Sequence, residues 1–190
     1  MLVPSDTAAA AAISYLKFPF YLKKDQLEAV DAWISDGSRG SVIYSSDKGK
    51  TEIAFECARK TAATITAIAT TEKKGRTSYL SSSFNILYLV PRIVLINQNY
   101  KRLLKYGIPE EHVGVYFGEQ KDIREITIST YHSIITNLDL VRRSDMVLFD
   151  EVHLISDTAK SFSRIFDVVV EDHIDIDSIP PLSYQYIMCY

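Results

Sequence analysis

The chain has 190 residues, of which 47% are hydrophobic and 24% charged. That is enough to bury one sizeable core, and the composition is that of a soluble globular domain rather than a disordered, fibrous or membrane-embedded chain. A formal net charge of -3 and a pI near 5.8 give no global basic field, so any contact with nucleic acid has to come from a local patch.

Cys57 and Cys189 lie far apart, with no neighbour at metal-ligand spacing. This argues against a disulfide framework or zinc site and for a reducing compartment, cytoplasmic or, in a eukaryote, nuclear. The run from Ala8 to Ala12 lacks a basic leader and a sustained apolar core, so no signal peptide is expected. No stretch approaches the ~20 apolar residues of a membrane span, and no membrane partner is expected.

In chain order, short strand-like runs alternate with amphipathic stretches, the pattern of a mostly parallel sheet flanked by helices in three layers. Leu27, Val30, Ala32, Trp33 and Ile34 give Lys24 to Ser35 a helical spacing, ended by Asp36-Gly37. Ser41 to Tyr44 is a short strand. Glu52 to Ala63 is a helix, with Ile53, Ala54, Phe55, Cys57 and Ala58 at helical intervals, directly behind Gly49-Lys50-Thr51. Thr70 to Ser83, rich in Thr, Ser, Lys and Gly, reads as a long exposed connection.

Ile86 to Val90 is a buried-strand candidate stopped by Pro91, and a helix from Val94 to Tyr106 is closed by Gly107. Val113 to Phe117, followed by Gly118, is β-rich, and Ile126 to Ser129 and Met146 to Phe149 complete the strand series. After about Val170 the pattern changes. Glu171, Asp172, Asp175 and Asp177 alternate with isoleucines, and Pro180-Pro181 leads into an aromatic tail. The expected organisation is an N-terminal extension over 1–15, one α/β domain over 16–170 and a divergent tail over 171–190.

A strand, Gly49-Lys50-Thr51 and a helix together form a phosphate site: loop amides and the helix N-terminus meet phosphate oxygens, Lys50 adds a full charge, and the Thr51 hydroxyl can ligate Mg²⁺. Three residues alone are weak, because a chance Gly-Lys-Thr at a helix start is common. Met146 to Phe149 supplies the second half, delivering Asp150 and Glu151 at the C-terminal end of a strand, where ligands of open α/β sheets collect. Asp150 would hold Mg²⁺ and Glu151 would polarise the attacking water for in-line phosphoryl transfer. Without the phosphate loop, the same acids would be a solvated strand cap.

In order and spacing, these motifs resemble superfamily 2 helicases, and Asp150-Glu151-Val152-His153 resembles the XPB type. Tyr21-Leu22-Lys23-Lys24-Asp25-Gln26 resembles the segment whose glutamine reads adenine, here Gln26. Leu89-Val90-Pro91-Arg92, with Leu95 and Gln98 behind, resembles the motif that touches the DNA backbone. Val113 to Glu119, including Gly118, and Ile128-Ser129-Thr130-Tyr131-His132-Ser133 resemble the two later nucleic-acid motifs.

The resemblance implies a RecA-like P-loop domain that uses ATP and Mg²⁺ on DNA, single-stranded or at a duplex junction, as in DNA repair. Ser46, Asp47, Lys48, Gly49, Lys50, Thr51 and Glu52 would surround the nucleotide, and His153 would couple the site to the next motif. Arg92, Lys101, Arg102 and Lys105 otherwise read as a solvated helix face, Arg142-Arg143 as a charged turn, and Glu171, Asp172, His173 and Asp175 as a solvated acidic segment rather than a metal site.

Three departures stand out. The family usually has glycine two positions before the Gly49 equivalent, where this chain has Asp47, which adds a side chain and negative charge beside the phosphates. After His153 the family continues with a helix, a strand and a Ser/Thr-Ala-Thr motif, and no such motif occurs here. A second RecA-like lobe with arginine fingers, worth about 10³ to 10⁵ in rate, is also missing. The expectation is a truncated first lobe, weak alone, that needs a second lobe or a nuclease partner in trans. The alternative is a remnant that binds DNA or protein without hydrolysis. A P-loop small-molecule kinase would account for Gly49-Lys50-Thr51 but not for the motifs around Pro91 and Thr130.

Overall fold

A computed structural model of the chain describes residues 21–43, 49–71, 84–152, 159–171 and 185–189. Its elements are α1 (Lys24–Ser35), β1 (Arg39–Val42), α2 (Lys50–Thr71), β2 (Ile86–Val90), α3 (Ile93–Lys105), β3 (Val113–Phe117), β4 (Gln120–Lys121) and β5 (Ile126–Thr130). There follow α4 (Tyr131–Ile134), α5 (Leu138–Arg142), β6 (Met146–Phe149), α6 (Ala159–Glu171) and β7 (Gln185–Cys189). The strands form one sheet in the order β1-β7-β6-β2-β5-β3-β4. All pairings are parallel except β3 with β4.

The central strands explain the three layers. Every residue of β2, β5 and β6 is buried, as parallel strands covered on both faces require. Alternate side chains then enter two separate cores. Ile86, Tyr88, Val90, Met146 and Leu148 pack with Val30, Trp33, Phe55, Ile96 and Leu103 from α1, α2 and α3. Leu87, Leu89, Val147 and Phe149 pack on the other face with Tyr131, Ile134, Val141, Ile165 and Val169 from α4, α5 and α6. The expected α/β architecture is thus borne out.

Several boundaries differ from the sequence reading by a few residues, and one short strand was not read at all. The helix behind Gly49 runs on to Thr71, so Thr70 and Thr71 belong to it rather than to the connection. The first strand begins at Arg39, and the two-residue β4 is too short to announce itself by periodicity.

The strand series also does not end at Phe149. Gln185–Cys189, inside the stretch read as a divergent tail, lies between β1 and β6 and pairs with both. Its Ile187, Met188 and Cys189 are buried. A short strand covered on both faces shows no alternation, so the aromatic run gave no period to read. Among the described residues a helix, α6, and a strand, β7, follow the acidic box, neither of which the sequence reading had placed. Ser46, Asp47, Lys48, His153, the 1–15 extension and Asp172, His173 and Asp175 lie outside the described residues. Among the described residues no helix is long and apolar enough to cross a membrane.

Candidate nucleotide-binding site

Parallel register gathers the motifs on one edge. Leu89 faces Phe149, Val90 faces Thr130 and Tyr116 faces Ser129, so Pro91, Gly118, Tyr131 and Asp150 all follow the C-terminal ends of neighbouring strands. A cavity of about 550 Å³ opens there, lined by Gln26, Gly49, Lys50, Thr51, Glu52, Asp150 and Glu151 from the predicted set. The opposite wall is a single face of α3, with Leu95, Gln98, Asn99 and Arg102, and Tyr106 just beyond the helix.

Gly49 has φ +87°, a left-handed conformation that glycine adopts without steric cost. A Cβ there would collide with the Gln26 side-chain amide. Its carbonyl accepts the Ile53 amide at 3.1 Å, opening α2. Lys50 is only 7% exposed, and its Nζ lies 3.6 Å from Glu151 Oε1. The two halves of the predicted site therefore face each other. Gln26, also buried, accepts the Lys23 amide on Oε1 at 2.8 Å, so the expected adenine reader also closes the start of α1.

Asp150 is held through every polar group it has. Its amide donates to the Leu89 carbonyl at 2.9 Å, and Oδ2 accepts from the Tyr88 hydroxyl at 2.7 Å. Oδ1 accepts the Glu151 amide at 3.0 Å, and the carbonyl accepts from the Tyr131 hydroxyl at 2.8 Å. Burial pushes its carboxyl pKa above the ordinary value, an effect the Tyr88 hydrogen bond opposes and the Glu151 charge reinforces. Burial, with Asp150 beside it, pushes the Tyr88 phenol well up, keeping it a donor.

Glu151 takes φ +52°, a left-handed conformation that costs a non-glycine residue about 1–2 kcal/mol. The surrounding bonds hold it there. Its side chain remains partly open to the cavity, at 29% exposure.

The donor set fits Mg²⁺. Among the described residues no cluster of three or more His, Cys, Asp or Glu side chains could hold a metal by itself, but Mg²⁺ normally takes one or two carboxylates and completes its shell with water and substrate phosphate. Asp150 and the Thr51 hydroxyl would supply such a partial set once Arg102 releases the hydroxyl oxygen, to which its Nη1 donates at 2.9 Å.

The predicted DNA contacts divide. Arg92 and Gly118 are exposed and Pro91 half-buried at the sheet edge. Ser129 is fully buried and donates to the Tyr116 carbonyl at 2.6 Å. Tyr131 is fully buried too, stacked against Phe149. Thr130 caps α4 by accepting the Ser133 amide at 3.0 Å. The side chains of Ser129 and Tyr131 thus belong to the interior and, contrary to expectation, cannot touch DNA directly. They were misplaced because a motif shows which residues recur together, not which way each one points.

Arg102 also departs from expectation. It is not only a solvated helix residue, since its Nη1 donates to Thr51 Oγ1 at 2.9 Å. Nearby, the Tyr106 hydroxyl donates to Glu52 Oε1, pinning the end of α3 to the start of α2. The polar stripe of Gln98 and Asn99, then Arg102 and Tyr106 at three- and four-residue steps, was the available signal for this wall. Tyr88 carried none, reading only as an aromatic in a strand.

A parallel α/β sheet with a Gly-Lys-Thr helix start and paired acids across one cavity defines a RecA-like, P-loop nucleotide-binding domain. The chain belongs to the family described as type III restriction enzyme, res subunit, which it matches over residues 20–174. It is 33% identical over 156 residues to a DNA 3'-5' helicase XPB of Kineococcus radiotolerans. It is 31% identical over the same length to the protein of that name in Mycobacterium tuberculosis. Each match covers 77% of this chain and 24% of the relative, so the chain spans about a quarter of their length. The resemblance to superfamily 2 helicases of XPB type is borne out.

Among solved structures, the UvsW helicase of bacteriophage T4 superposes with a TM-score of 0.59 at 15% identity, covering 97% of this chain and 60% of that one. The DUF1998 helicase MrfA gives 0.54 at 14% identity, covering 100% of this chain and 29% of that one. These likenesses show the fold.

Proposed function

We propose that this chain is the ATP-binding first lobe of an XPB-type, ATP-dependent DNA motor. The observation that carries the reading is the convergence of Lys50, Thr51, Asp150 and Glu151 on one cavity, with Lys50 and Glu151 3.6 Å apart. Lys50 and the amides opening α2 would hold the phosphates, Thr51 and Asp150 would hold Mg²⁺, and Gln26 would meet the base. Bound Mg²⁺ would supply charge neutralisation at the phosphates. Glu151 would orient the attacking water and take its proton. Pro91, Arg92, Gly118 and the backbone of the β5–α4 junction would face DNA, gripping phosphates without reading bases. Transition-state arginines would come from a second lobe, worth roughly 4 to 7 kcal/mol.

A second reading, a remnant that binds without turnover, is favoured by Asp47 in the phosphate loop and by Arg102 on the hydroxyl that Mg²⁺ requires. The two separate on titration with a fluorescent ATP analogue and Mg²⁺, for the natural chain and Asp47→Gly, followed by ATP turnover with and without single-stranded DNA. The first reading expects Mg²⁺-dependent binding and slow, DNA-stimulated turnover. Binding without any turnover in either protein supports the remnant. No binding of the analogue by either protein overturns the first reading and leaves the remnant, whose ligand is then DNA or protein rather than nucleotide.

A further inference from the structure

The geometry points to Tyr131 as a positioning residue for Glu151, one that makes the orientation of the acidic box depend on the β5–α4 junction. This deepens the reading of the cavity as an ATPase site and rests on it. The peptide linking Asp150 to Glu151 is pinned at both ends. Its carbonyl accepts the Tyr131 hydroxyl at 2.8 Å, and its N–H donates to Asp150 Oδ1 at 3.0 Å. The rotation of this peptide sets the φ of Glu151, which stands at +52°, in a region that a side-chain-bearing residue keeps only where its surroundings impose it. Without the hydroxyl, the peptide has a lower-energy orientation available, and Glu151 would leave the cavity in a different direction.

Tyr131 can serve this purpose because its ring is fixed. It is fully buried, stacked on Phe149 with centroids 6.3 Å apart and edge-on to Phe162 at 6.1 Å. Its backbone, by contrast, begins a turn at the sheet edge. Thr130 caps that turn through the Ser133 amide at 3.0 Å, and His132 between them is exposed. A strand of nucleic acid seated on this junction would act on the backbone of Tyr131, and through the rigid ring on the bond between its hydroxyl and the Asp150 carbonyl. Such coupling requires a second orientation of the 150–151 peptide, beside the one held here with Glu151 at φ +52°.

The test is Tyr131→Phe, which keeps the ring and deletes only the hydroxyl. In the 190-residue chain, amide hydrogen exchange over residues 149–152 should accelerate about tenfold or more, with β2 and β5 unchanged. Single-stranded DNA should alter exchange at Glu151 in the natural chain but not in the variant. The Mg²⁺-dependent affinity for the ATP analogue should stay within about twofold, while DNA-stimulated turnover at saturating ATP falls about tenfold toward the basal rate. Thr130→Val, which removes the cap and leaves Tyr131 intact, should also speed exchange at Glu151, and it stands in if Tyr131→Phe fails to fold.

Unchanged exchange at 149–152 overturns the proposal, as does full DNA stimulation in a folded Tyr131→Phe chain. Complete loss of nucleotide binding would make Tyr131 merely structural and overturn it as well. If the natural chain shows no turnover, the ATPase reading falls on its own, and the exchange measurements with and without DNA still decide the role of Tyr131.

Discussion

Asp150 shows how a single buried carboxyl can set the working range of a site. In the role proposed for it, only its carboxylate form would bind Mg²⁺, yet burial favours the protonated form and lifts its pKa above 3.8, with the Tyr88 hydroxyl acting in the opposite sense. Because the folded-state pKa is raised, the contribution of this carboxyl to stability is fully present below 3.8 and is lost as pH rises through the folded value. Binding of Mg²⁺ with nucleotide runs the other way and fails on acidification above the ordinary carboxylate range. In Tyr88→Phe the carboxylate loses a hydrogen bond of about 1.5–3 kcal/mol, so the midpoint of that failure should move up by about 1–2 pH units. Titration with the ATP analogue from the ordinary carboxylate range upward, on the natural chain and the variant, measures it, and an unmoved midpoint would show that Tyr88 does not tune this group. At Gly49 the prediction concerns shape. Gly49→Ala should cost about 1–2 kcal/mol for its left-handed φ, read as a lower midpoint in thermal unfolding, and should displace Gln26 from the cavity wall.

At the level of elements, legibility followed burial pattern and local chemistry. Gly49-Lys50-Thr51 and Asp150-Glu151 could be placed because glycine, a helix start and a strand end each leave a local mark. Strand β7 left none, although it carries more of the architecture than its sequence implies. Among the described strands β1 pairs with β7 alone, so the strand that leads into the phosphate loop reaches the sheet through residues 185–189. Ending the chain at residue 184 should therefore abolish cooperative unfolding and nucleotide binding, although every predicted catalytic side chain remains. Ile187→Ala, a milder change at a fully buried site, should cost about 2–5 kcal/mol in denaturant unfolding. Cys57 and Cys189, both buried, report on the same packing. Burial pushes the Cys57 thiol from 9.0 up to about 12, so neither cysteine should react with a disulfide reagent at pH 8 until the chain unfolds, and rapid native labelling of Cys189 would contradict a buried β7. The Cys57 contribution to stability is likewise whole below 9.0 and is lost as pH rises toward about 12.

For the whole molecule, the question is how strongly one lobe can hold nucleic acid. A net charge of -3 repels a polyanion at long range, so retention depends on the few cations at the C-terminal edge of the sheet. Arg92 is exposed there. Lys121, on the hairpin beyond Gly118, sits 3.9 Å over the Tyr116 ring, but Glu119 is exposed between them. The hydroxyls of Ser129 and Thr130 serve the interior, which leaves backbone amides as the remaining phosphate contacts. Amides contribute hydrogen bonds but release no counterions. With about two phosphates neutralised, the logarithm of affinity for single-stranded DNA should fall against the logarithm of salt with a slope of about -1.4. Fluorescence anisotropy between about 50 and 200 mM salt measures it. A slope steeper than about -3 would mean that a larger cationic surface grips the strand and that this edge is not the main contact. A shallow slope with weak affinity is what a single lobe should give when the other wall of the DNA channel, like the transition-state arginines, is supplied by a second lobe.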